Sequence, residues 1–119
     1  MINYEYYKAL IGDYIELGCS SEQLLGQIGF PPEIRWDGDG LAKAIAIISA
    51  AADGDTKRLV SLSGLSMTSF ARKFGLPYRS VQNWCSDSGD NQRKPPEYLP
   101  ILIGYILVTE IPEAENGNI

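Results

Sequence analysis

Residues Ser66 to Trp84, SMTSFARKFGLPYRSVQNW, admit few arrangements other than two short helices around a tight turn. Ala71 is small where the helices must cross, and a larger side chain there would push them apart. Gly75, four residues on, can take the left-handed conformation that ends the first helix. Val81 and Trp84, three apart, put apolar bulk on the inner face of the second helix, and Leu76 plugs the turn. Tyr78, Arg79, Gln82 and Asn83 are left on the outer face. The spacing is that of a helix-turn-helix.

Arg, Gln and Asn can each bond bidentately to base edges in a major groove, which makes double-stranded DNA the first partner to consider. The overall charge of −5 speaks against a generic nucleic-acid binder, so its distribution matters more. Residues 1–55 hold three cations and nine anions, a net −6. Residues 56–109 hold seven cations and three anions, a net +4, and residues 110–119 add three anions. The positive part holds the two-helix motif, as a phosphate-binding surface requires.

The 119 residues suit one domain, or one domain with an extension. With 45% apolar and 21% charged residues, the chain has the composition of a soluble globular protein. No apolar run reaches the roughly 18 to 20 residues needed to span a bilayer. Met1-Ile2-Asn3-Tyr4-Glu5 lacks the basic start of a signal peptide, so the expectation is a cytoplasmic protein without a membrane partner. With no histidine and only Cys19 and Cys85, far apart, zinc sites and Cys-His or Ser-His catalysis are excluded. Free thiols, buried or half-buried, are expected. Asp37-Gly38-Asp39-Gly40 resembles the opening of a calcium loop, but Leu41 and Ile48 fall where oxygen ligands are needed. The expectation is no enzyme, no catalytic residue, no metal and no cofactor.

The remaining pattern is helical throughout. Asn3 can cap a first helix with apolar Tyr7, Leu10, Ile11, Tyr14 and Ile15, ended by Gly18. A short helix from Ser20 or Ser21 through Ile28 follows, and Glu33 to Trp36 suits one helical turn. Asp39 is read as the cap of an apolar run 41–48, with a break or kink at 50–55. Asp55 caps a helix 56–63 closed by Gly64, and Ser66 caps the next. After a polar loop 85–94, Pro95-Pro96 restarts the chain into a last helix, Glu97 to about Val108, apolar almost all round. Pro100 is tolerated there because its missing N–H falls in the first turn.

From about Thr56 to Val108 the chain resembles the lambda-repressor-like (Cro/C1, XRE-type) helix-turn-helix domain. The resemblance is carried by Gly64-Leu65-Ser66, Phe70-Ala71, Phe74-Gly75-Leu76, Val81, Trp84 and Arg93-Lys94-Pro95-Pro96-Glu97-Tyr98. The tryptophan followed by the basic-Pro-Pro-Glu-Tyr run is similar to a subgroup common in Firmicute genomes and mobile elements. It implies an all-α, lambda-repressor-like bundle of helices 56–63, 67–74, 77–85, a short or missing helix within 86–95, and 97–108. The expected organisation is an acidic helical extension 1–40, the bundle 41–109 and a flexible acidic tail 110–119. The resemblance also implies roles, with Tyr78, Arg79, Gln82 and Asn83 reading bases. Thr68, Ser69, Arg72, Lys73, Arg93 and Lys94 would meet the DNA backbone. Met67 stands where many members carry a phosphate-anchoring glutamine, and the loop 86–92, with Asp87 and Asp90, is longer than usual.

Two functions are open at this point. One is a sequence-specific transcriptional regulator, working as a two-fold homodimer through the apolar last helix or the tyrosine-bearing first one. The other is a protein-interaction module, a mobile-element accessory or antitoxin-like protein, that keeps the fold with little DNA affinity and contacts a protein partner through residues 1–40. Packing of Tyr4, Tyr6, Tyr7 and Tyr14 against the bundle is the plainer reading of those side chains.

Overall fold

A computed structural model describes residues 3–16, 18, 38–86 and 95–111, which form six helices and no strand. They are α1 (Tyr4–Glu16), α2 (Gly38–Asp53), α3 (Thr56–Ser63), α4 (Met67–Phe74), α5 (Tyr78–Trp84) and α6 (Tyr98–Thr109). The all-helical expectation holds for these residues. The expected helix 20–28, the turn 33–36, Cys19, the loop residues 87–94 and the tail 112–119 lie outside them.

Local chemistry sets most helix ends. The Asn3 side-chain oxygen accepts the Tyr6 N–H at 2.8 Å and opens α1. Asp55 accepts from the Arg58 N–H at 3.2 Å and Ser66 from the Ser69 N–H at 3.1 Å, opening α3 and α4. Gly64 and Gly75, at φ +73° and +66°, close the same two helices in the left-handed region. Asp39 is no cap: α2 already begins at Gly38, and Asp39 lies in its first turn, where a carboxylate suits the helix dipole. The expected break at 50–55 comes late, because three alanines carry α2 on to Asp53 before Gly54 turns. Glu97 precedes α6, so Pro100 is its third residue, and its lack of an N–H interrupts no intrahelical bond.

Helix α2 is the central element, packing on α1, α3 and α6. Its Ala44, Ile47, Ile48 and Ala51 meet Tyr7, Leu10, Ile11 and Tyr14 of α1 and Ile103, Leu107 and Val108 of α6 in one core. Leu59, Phe70, Ala71 and Val81 continue that core into α3, α4 and α5. The tyrosines of α1 serve packing. Tyr4 stacks on Tyr7 and meets the edge of Tyr105, with ring centroids 6.2 and 5.1 Å apart. The Tyr14 hydroxyl and Ser49 Oγ share a buried hydrogen bond of 2.8 Å. Ile15, one of the apolar positions that mark the first helix in the sequence, is 55% exposed near the end of α1. Among the described residues no helix is long and apolar enough to cross a membrane.

Candidate nucleic-acid interface

The α4–turn–α5 unit is held by backbone geometry as well as by packing. Beyond α4 the Leu76 N–H reaches back to the Ala71 carbonyl at 2.8 Å, and the Gly75 N–H to that of Arg72 at 3.4 Å. This paired closure needs a left-handed residue between, which is why glycine stands at 75. Pro77 follows in an extended conformation, and its carbonyl accepts the Ser80 and Val81 N–H groups at 3.0 and 3.2 Å to start α5. Its ring has no N–H to lose and presets φ for leaving the turn.

The inner face of the unit is buried. Phe70, Ala71 and Val81 lie in the core, and Phe70 and Phe74 pack with ring centroids 4.8 Å apart. Trp84 is half-buried, enough to hold the end of α5 against the core. With inner side chains fixed, helical spacing decides what faces solvent. On α5, Tyr78 is 45% exposed and Arg79 and Gln82 are exposed. Asn83 is half-buried, so of the four expected base readers it alone is not exposed. On α4, Thr68, Ser69, Arg72 and Lys73 are all exposed.

Charge separates these residues further. From Thr56 to Ser86 the chain has Lys57, Arg58, Arg72, Lys73 and Arg79 and not one carboxylate. Arg58 lies 3.6 Å from Asp53, and Lys73 is bonded to Glu110 at 2.6 Å. Arg72 and Arg79 make no ion pair with any described residue. Two guanidinium groups on adjacent helices are therefore free to take phosphate or base edges. Arg93 and Lys94, expected to meet the DNA backbone, lie outside the described residues. Glu110 had no signal in the sequence beyond belonging to an acidic end, yet it engages a cation of the candidate face.

Other chemistry is sparse. Among the described residues no group of side chains could hold a metal ion. Cys85 is a half-buried free thiol whose pKa is pushed up by burial, with Lys57 pulling the other way. No protein-family model, curated protein or solved structure matches this chain.

Proposed function

We propose that α4 and α5 form a helix-turn-helix of the lambda-repressor-like kind, and that the protein is a cytoplasmic, non-enzymatic regulator that binds specific double-stranded DNA. In this reading α5 enters the major groove. Arg79 reads guanine, Gln82 and Asn83 read adenine or brace phosphate, and Tyr78 lies against the bases. Thr68, Ser69 and Arg72 approach the backbone, as Arg93 and Lys94 would from the following loop. The observation that carries the reading is the pair Arg72 and Arg79. Both are exposed and without an ion-pair partner among the described residues, on helices whose opposite sides are packed into the core.

Few phosphate contacts per subunit give weak binding alone, so useful specificity calls for two copies on a two-fold site spaced by about one turn of DNA. Fluorescence anisotropy with a random duplex tests the reading. Binding that weakens as salt rises is expected, and its absence at low ionic strength would count against DNA as the partner. The second reading, an interaction module with little DNA affinity, is favoured by one observation: Glu110 already neutralises Lys73.

A further inference from the structure

The cation in the last turn of α4 is occupied. Lys73 Nζ donates to both carboxylate oxygens of Glu110, at 2.7 and 2.6 Å, which ties α4 to the residue closing α6. Both side chains remain open to water, 35% exposed for Lys73 and 47% for Glu110. An exposed pair of this kind adds little to the fold and is open to competition by any other anion. Two carboxylate oxygens on one ammonium present the same charge-assisted acceptors that a phosphate would. Glu110 also borders a cavity. Lys43 lines the same cavity of about 220 Å³, with Leu62, Ser63, Leu107 and Ile111, and makes no ion pair with any described residue.

We propose that Glu110 is a built-in phosphate surrogate, which holds Lys73 in the free protein and gives it up to a duplex phosphate on binding. The inference rests on the DNA-binding reading and adds a residue that sets its strength. Binding through Lys73 exchanges one anion for another, so this lysine contributes less to affinity than a free one.

The test is a double-mutant cycle on a random duplex, with native protein, E110Q, K73Q and E110Q/K73Q followed by anisotropy between about 50 and 200 mM salt. Circular dichroism checks that all four fold. Removing the Glu110 charge is expected to tighten binding by about 3-fold, the scale of one exposed ion pair, with little change in the salt slope because Lys73 neutralises a phosphate in both proteins. In the K73Q background the same substitution is expected to leave the affinity unchanged. An affinity for E110Q equal to that of the native protein overturns the inference while leaving DNA binding intact. So does a gain that persists without Lys73. If none of the four proteins binds in a salt-dependent way, both the inference and the reading beneath it fall.

Discussion

The Tyr7 hydroxyl donates a 2.8 Å hydrogen bond to the carbonyl of Ile101, 94 residues away, and this contact fixes how closely α1 and α6 approach. Three residues further along α6, Gly104 leaves the room. A Cβ at 104 would lie 2.5 Å from the Tyr7 hydroxyl and 2.9 Å from the Ala51 Cβ. Helix α1 is thereby part of the same core as the α4–α5 unit, through α2 and α6.

Gly104→Ala is expected to destabilise, although alanine is by itself the better helix former by about 1 kcal/mol. Overpacking against the fixed Ala51 Cβ outweighs that gain, for a net loss of about 1 kcal/mol and a drop in Tm of about 5 °C. Tyr7→Phe forfeits the bond to Ile101, at a cost of about 1 kcal/mol. The double variant is expected to lose less than the sum, because removing the hydroxyl relieves the nearest clash. Thermal melts of the three variants check this, and strict additivity would contradict it.

Alkaline pH is expected to unfold the protein earlier than an ordinary helical bundle. Burial, with Tyr4 second, holds the Tyr7 hydroxyl well above the usual tyrosine value near 10. Tyr6 is raised in the same direction by burial and by Asp13. A raised native pKa gives stability that is complete below pH of about 10 and is lost above it, as the unfolded chain ionises first. Denaturant melts across that range are expected to show the loss, with Tyr7→Phe reducing its steepness. A native protein equally stable on both sides of pH 10 would contradict it.

Thr56→Val is expected to stabilise. The Thr56 hydroxyl oxygen is buried and has no hydrogen-bond partner among the described residues. Valine keeps the shape and removes the desolvated polar atom, a gain of about 1 kcal/mol seen as a higher Tm. A fall in Tm would show that the hydroxyl is satisfied after all.

What could be read in the sequence was local. Asp55, Ser66, Gly64 and Gly75 act on residues within one turn of themselves, so the bounds of α3 and α4 were legible. The inner face of α4 and α5 followed from spacing, and Phe70, Ala71 and Val81 are buried as expected. Asp39 misled because capping chemistry and first-turn chemistry favour the same residue type. The contacts that join distant segments were not legible. Tyr7 to Ile101, Tyr14 to Ser49 and Lys73 to Glu110 depend on how helices pack, which no local pattern encodes. Gly104 carries no signal in the sequence, because what a Cβ there would meet is set by how α1, α2 and α6 pack. On the candidate face, exposure of Arg72 and Arg79 was legible, but the engagement of Lys73 was not.

The most direct measurement is the salt dependence of duplex binding by Arg72→Gln/Arg79→Gln beside the native protein. Both side chains are exposed, so the variant is expected to keep its helical circular dichroism and its Tm. With two phosphate or base-edge contacts gone, the slope of log affinity against log salt is expected to become shallower by up to about 1.8, with weaker binding at every salt concentration. A folded variant that binds with the native slope and affinity would contradict the assignment of this face to DNA.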